Sequence, residues 1–209
     1  MLLGLLGVSI VGLGAWLAAG FWFKRGVEEP AFEVLSRDGD VEVRRYESTV
    51  IAVTDVEGDR DAALSEGFRR LAGYIFGKNR SRKNIAMTAP VSAAAYEKIA
   101  MTAPVSATAS SEVSFRVTFT MPPGSKLEEL PEPEDGRVRL EAVPGRDVAA
   151  IRFSGRARTD AIEEQTARIV AWAKLSGRAI EGAPTLAQYD PPFTMPVMRR
   201  NEMLVVLAR

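Results

Sequence analysis

Residues 85–93 read IAMTAPVSA, and residues 99–107 read IAMTAPVSA again, 14 positions further along the chain. Each copy alternates its side chains between two faces, so the pair predicts two adjacent strands with a tight connection. Met87 and Met101 would then occupy equivalent positions, where a methionine more commonly fills a core than binds a metal. The repeat therefore predicts a β-sheet in which two adjacent strands place the same residues at equivalent positions.

The chain before the repeat starts with a β pattern and changes to a helical one. Residues 32–35 and 41–46 alternate apolar and polar, and Asp38-Gly39 between them is a strong hairpin signal. Residues 49–56 predict a third strand. Four apolar residues then recur at helical spacing, with Gly77 as the expected end and Asp59 or Asp61 as the expected N-cap. These four residues are Leu64, Phe68, Leu71 and Ile75.

The same order follows the repeat. Residues 113–120 alternate strictly, and residues 138–142 and 148–153 predict a hairpin around Pro144-Gly145. A second helix is expected from Thr159 or Asp160 to Gly177, followed by strands at residues 185–189 and 203–207. The order strands, helix, strands thus occurs twice along the chain. This repetition predicts an internally duplicated α+β domain.

Composition excludes several classes of function. The 209 residues carry 27 Lys+Arg and 27 Asp+Glu, whereas nucleic-acid binders usually have a basic excess. The chain has no histidine and no cysteine. Disulfides, zinc fingers, cysteine nucleophiles and Ser-His-Asp triads are therefore excluded, and we predict no nucleic-acid partner.

The first 23 residues predict an uncleaved transmembrane helix. They read MLLGLLGVSIVGLGAWLAAGFWF and carry no charged side chain. A helix of this length spans roughly 34 Å, enough for a bilayer core of about 30 Å. The alternative is a cleaved signal peptide, which would have a basic start and a shorter apolar run.

The charges that follow the apolar segment bear on its orientation. Lys24 and Arg25 favour a cytoplasmic domain under the positive-inside rule, although two charges leave the side open. We expect a single-pass protein, of the bacterial inner-membrane type. Residues 1–23 form its anchor, residues 24–29 a short linker and residues 30–209 one domain.

A polar motif precedes the last predicted strand. The chain reads YDPP at residues 189–192 and RRNE at residues 199–202. The two prolines predict a turn. Arg199 and Arg200 are typical of a solvated or salt-bridged strand end, and the alternative is a guanidinium pair that binds a carboxylate ligand.

Together these motifs resemble the SOUL/heme-binding protein family. The resemblance rests on EPAFEVLSRDGDVEVRRY at residues 29–46, the paired IAMTAPV segments, FSG at residues 153–155, and YDPP with RRNE. It implies a distorted antiparallel β-barrel of two similar halves, each with one helix packed outside. It also implies haem or a related tetrapyrrole as the ligand.

The resemblance implies a site as well. In the family the ligand lies in an apolar cleft against the first helix, which maps here to Leu64, Phe68 and Leu71 opposite residues 195–200. One branch ligates iron through histidine, which is impossible in this chain. We expect apolar contact, with propionates on arginine or iron on tyrosine or methionine. The candidates are Arg69, Arg70, Arg199 and Arg200 for propionates, and Tyr74, Met195 and Met198 for iron.

Three functions fit these observations. The first is a membrane-tethered, non-enzymatic carrier or buffer of haem or porphyrin. The second is an interaction module without a ligand. The third is a small-molecule-sensing or hydrolytic domain, because the fold also resembles the effector-binding domains of the GyrI-like group. Hydrolysis would need a base such as Glu66 or Glu141, and no paired-carboxylate spacing stands out, so we predict that the protein is not an enzyme.

Overall fold

The residues that the structure describes form two helices and nine strands, an α+β arrangement. This computed structural model describes residues 28–81, 83–97, 113–191 and 193–208. Helix α1 spans Arg60–Ile75 and helix α2 spans Thr159–Leu175. The strands are β1 Phe32–Asp38, β2 Val41–Tyr46, β3 Thr49–Glu57, β4 Val91–Glu97, β5 Val113–Thr120, β6 Val138–Val143, β7 Arg146–Phe153, β8 Ile180–Gln188 and β9 Asn201–Leu207.

All nine strands belong to one antiparallel sheet, in the order β1-β2-β7-β9-β8-β4-β5-β3-β6. The chain runs through the sequence strand, strand, helix, strand, strand twice, first as β2–β3–α1–β4–β5 and then as β6–β7–α2–β8–β9. The two halves exchange a strand, because β2 pairs with β7 and β6 pairs with β3. The β4–β8 ladder joins them in the middle.

The pairing corrects two expectations. Among the described strands β1 and β6 are the edges, so the sheet is open and the barrel implied by the resemblance is not closed. The hairpin predicted around Pro144-Gly145 is wrong, because β6 and β7 pair with strands from the other half. The hairpin between β1 and β2 is confirmed.

Two short links make the sheet curve strongly. Glu47-Ser48 joins β2 to β3, and Pro144-Gly145 joins β6 to β7, although the joined strands lie near opposite ends of the sheet order. Consecutive Cα atoms are about 3.8 Å apart, so these strand ends come within roughly 11 Å of each other. The sheet therefore wraps round a concave face, which we call the cavity face.

Both helices pack on the opposite side of the sheet, which we call the helix face. Helix α1 covers β3 and β5, and helix α2 covers β7, β8 and β9. Each helix has its own core. Buried residues under α1 include Ala52, Leu71, Tyr74 and Val117, and those under α2 include Val43, Ile151, Ile169 and Met203. Alternate residues of the same strands point to the cavity face.

Helix α1 begins and ends where the sequence predicts. Asp59 is the N-cap, and its carboxylate accepts hydrogen bonds from two backbone N–H groups of the first turn. Gly77 follows the last turn with a φ of 100°, which favours glycine. A Cβ on Gly67 would lie 2.6 Å from Cγ2 of Val117, so α1 approaches the sheet too closely for a side chain there.

The repeated segment is only partly a strand. In its first copy β4 begins at Val91, so the strand predicted for residues 85–90 is wrong. The Thr88 hydroxyl donates a hydrogen bond to the carbonyl of Thr120. Met87 packs against the core under α1, as its core prediction required. The second copy, with Met101, lies outside the described residues.

The predicted anchor also lies outside them. Within the part of the chain that the structure describes, neither helix has the length and apolarity needed to cross a bilayer. The transmembrane helix of residues 1–23 therefore stays a prediction.

Candidate functional site

The three apolar residues of helix α1 that were predicted to line the cleft differ in their exposure. Leu71 is fully buried in the core under α1, and Leu64 is partly buried against it. Phe68 is 41% exposed, and its ring meets the ring of Phe119 edge-on with the centroids 5.3 Å apart. Of the three, Phe68 alone offers a ligand a large apolar surface.

The two arginines of α1 have different surroundings. Arg69 is largely exposed and forms an ion pair with Glu66. Arg70 is mostly buried, where its Nε donates to Glu66 at 2.8 Å and its Nη1 donates to the Thr54 hydroxyl and the Asp55 carbonyl, each at 3.3 Å. Arg70 therefore ties α1 to β3, whereas Arg69 can turn toward a ligand.

The loop between β8 and β9 carries the other predicted residues, Met195, Met198 and Arg199. The loop contains a short 3-10 helix, and its Pro196 carbonyl accepts a hydrogen bond from Gly155 N at 2.9 Å. Arg199 Nε donates to a carbonyl oxygen of the same loop at 2.8 Å. Met198 is more than half exposed. Two further apolar side chains of the loop are exposed, Phe193 and Val197.

The register of the sheet relates this loop to α1. Asn201 of β9 pairs with Gln188, Gln188 pairs with Val91, and Val91 pairs with Phe119. These four residues form one row across adjacent strands, about 14 Å from end to end at the usual strand spacing. The two ends of the loop and Phe119, whose ring contacts the ring of Phe68, therefore lie at the same level of the sheet.

Arg200 is engaged in a buried charge network on the cavity side of β9. The carboxylate of Glu202 is fully buried and accepts hydrogen bonds from Arg44 at 2.7 and 3.2 Å, from Arg200 at 2.9 and 3.1 Å, and from the Tyr189 hydroxyl at 2.7 Å. Arg200 also pairs with Glu29 at 2.9 Å. Two carboxylates thus neutralise Arg200, which argues against its use as a ligand-binding cation.

Burial and hydrogen bonding in this network shift the pKa values of Glu202 and Tyr189. Burial alone would raise the pKa of Glu202, but hydrogen bonds from Arg44 and Tyr189 outweigh it, so the pKa is lowered and Glu202 stays ionised. Burial, and then the negative charge of Glu202, raise the pKa of Tyr189. Sequence reasoning missed Arg44 and Glu202, although alternation in two apolar strands places a charge on the inner face of each.

Tyr74 is a weak candidate for iron ligation. Tyr74 is buried in the core, its hydroxyl donates to the Pro131 carbonyl at 2.9 Å, and burial raises its pKa to about 12. Phenolate ligation would require that hydrogen bond to break. In the described segments no group of three or more acidic side chains could hold a metal ion. The residues present suit the apolar body of a tetrapyrrole better than its iron.

Comparison with known proteins identifies the family. The model of the SOUL heme-binding protein family matches residues 27–206, and the chain belongs to this family. Mouse "Heme-binding protein 1" is 30% identical over 195 residues, which cover 87% of this chain and 94% of the relative.

Solved structures share the fold at low sequence identity. The C-terminal domain of EcmrR is 8% identical with a TM-score of 0.58, over 81% of this chain and 97% of that domain. A hydrolase from Listeria innocua is 9% identical with a TM-score of 0.55, over 83% of this chain and 94% of the hydrolase. At this identity the likeness shows the fold alone.

Proposed function

We propose that this protein binds haem or a related tetrapyrrole without catalysing a reaction, as a membrane-tethered carrier or buffer. Membership of the SOUL heme-binding protein family and the name of its mouse relative support the ligand class. The two carboxylates considered as a catalytic base are both paired with arginine, Glu66 with Arg70 and Glu141 with Arg139 at 3.7 Å. This pairing disfavours a free general base at either position.

One observation supports the location of the ligand most strongly: the exposed aromatic ring of Phe68 lies at the same level of the sheet as a loop with exposed apolar side chains. Phe68 lies at the edge of the stripe of α1 that packs on the sheet, so its outer surface contacts solvent. Burying such surface under a flat apolar ligand contributes about 25 cal/mol per Å². The loop side chains that can contribute in the same way are Phe193, Val197 and Met198.

Arg69 and Arg199 are the arginines proposed to bind the propionates. Arg69 is largely exposed, and Arg199 lies in the loop that carries the exposed apolar side chains, where its Nε donates to the Thr194 carbonyl. Arg70 and Arg200 are held by several partners each, so a propionate would have to displace existing bonds. Guanidinium groups suit carboxylates because their paired N–H donors match the two oxygens.

The variant Phe68→Ala tests this location. We expect it to weaken hemin binding about tenfold, because a contact surface of the ligand is lost while the buried residues of α1 remain. The measurement is an absorbance titration of the full chain with hemin. Phe76→Ala is the matched control, because Phe76 is also an exposed phenylalanine, 62% exposed, at the far end of α1. Equal affinities of the two variants would refute the proposed site.

The membrane tether is proposed from the length and apolarity of residues 1–23, with Lys24 and Arg25 favouring a cytoplasmic domain. Intact-mass measurement of protein extracted from membranes tests it. The proposal expects a chain that retains all of residues 1–23. A mature chain that begins near Phe21 would show that the segment is a cleaved signal peptide.

A further inference from the structure

A cavity of about 650 Å³ lies on the cavity face, across the sheet from α1, α2 and Phe68. Its apolar lining comes from both halves of the chain. Ile51 of β3 and Val143 of β6 line one side, and Val148, Leu204 and Val206 of β7 and β9 line the other. Its volume lies in the usual range for small-molecule sites, about 300–1,000 Å³.

Among the cations that line this cavity, Arg146 is the one without an ion-pair partner in the described residues. It is the first residue of β7, on the same side of the strand as Val148, while Ala149 and Ile151 point to the helix face. Its guanidinium has no carboxylate within 4.0 Å among the described residues, and its side chain is exposed to solvent inside the concavity. The surrounding protein lowers the pKa of Arg146 by desolvation, and the charges of Tyr46, its cross-strand neighbour, and of the more distant Glu181 oppose this.

Most of the other charges of the cavity are already balanced. Four of them have an opposite charge within 4.0 Å. These pairs are Glu29 with Arg200, Arg116 with Asp55, Lys126 with Glu129, and Glu141 with Arg139. The remaining carboxylate, Glu47, is exposed on the link between β2 and β3. The buried carboxylate of Glu202 is neutralised by two arginines, so Arg146 is the cation of the cavity that an entering anion can pair with directly.

We propose that this cavity is a second ligand site, which binds a small organic monoanion with an apolar body, such as an aromatic carboxylate, through Arg146. The apolar walls bury the body of the ligand, and the guanidinium binds the carboxylate. Hydroxyl groups along the walls provide further hydrogen bonds. They belong to Tyr46, Thr118 and Thr120. This site is independent of the tetrapyrrole surface, because the sheet separates the two.

The test uses two probes of similar shape, 2-naphthoate and the neutral (2-naphthyl)methanol, with the full chain and isothermal titration calorimetry. Naphthoate is expected to bind at least about tenfold more tightly than the alcohol, as a charge-assisted hydrogen bond predicts. Arg146→Gln is expected to weaken naphthoate about tenfold and to abolish the difference between the probes. Arg146→Lys, which keeps the charge, is expected to retain part of the preference.

Two controls separate this site from the tetrapyrrole surface. Arg158→Gln makes the same chemical change at an exposed arginine before α2 and should leave naphthoate binding unchanged. Phe68→Ala should also leave it unchanged, even if hemin binding is lost. Naphthoate binding that Arg146→Gln leaves intact would overturn the proposal. Loss of naphthoate binding in the Phe68→Ala variant, or no binding to the wild type at millimolar naphthoate, would overturn it as well.

Discussion

Replacing Glu202 by glutamine should destabilise the fold more than any exposed charge substitution in this chain. The Glu202 carboxylate is completely buried, and five hydrogen bonds reach it from Arg44, Arg200 and Tyr189. Arg44 is only 4% exposed, so water cannot replace the lost hydrogen bonds, and Glu42 at its outer side is its remaining counter-charge. Breaking a buried ion pair by removing one partner costs about 3–5 kcal/mol.

Urea unfolding of the wild type and Glu202→Gln, followed by tryptophan fluorescence, measures this loss. With a urea slope of about 2 kcal/mol per M, the midpoint should fall by roughly 1.5–2.5 M. Glu42→Gln is the matched control, because Glu42 also pairs with Arg44, at 2.7 Å, but is partly exposed. The free energy of unfolding of Glu42→Gln should fall by no more than about 1 kcal/mol. A Glu202→Gln loss no larger than that of the control would refute the reasoning.

Two further predictions concern packing and pH. Gly67→Ala should destabilise the protein by about 1–2 kcal/mol in thermal unfolding, because overpacking against Val117 outweighs the gain in helix propensity. Gly73→Ala should not destabilise it, because the new Cβ would meet only the flexible side chain of Lys78, 3.2 Å from its Cδ. The pKa of Glu202 is lower in the folded protein than its ordinary 4.5, so the stability it contributes is complete above that value and is lost as the pH falls further. Glu202→Gln should therefore flatten the loss of stability below about pH 4.5 in acid titrations, and an unchanged acid profile would contradict the shift.

Local patterns predicted the elements well because caps, turns and periodicity depend on neighbouring residues. Asp59 and Gly77 delimit α1 as expected, and the β1–β2 hairpin turns at Gly39-Asp40, one residue after the predicted Asp38-Gly39 pair. Pairing was harder to predict. Alternation shows which residues of a strand share a face but not which strand lies beside it. A two-residue link normally means a hairpin, but the strands joined after Val143, β6 and β7, each pair with a strand of the other half instead.

The candidate site shows the same limit. The helical stripe that contains Leu71 is apolar because it packs on the sheet, so the residue that fits the pattern is buried beyond the reach of a ligand. Phe68, at the edge of that stripe, remains available. The pair between Arg44 and Glu202 joins residues 158 positions apart, which no local pattern can relate. Only the strand order brings them together.

The central claim is that a tetrapyrrole is held by apolar surface and arginine rather than by an iron ligand. The most direct test compares the dissociation constants of hemin and metal-free protoporphyrin IX for the full chain, under the same conditions. The account predicts that they agree within about threefold, because no histidine or cysteine exists to bind the iron. Hemin that binds a hundredfold more tightly, or no binding of either at micromolar concentrations, would contradict it.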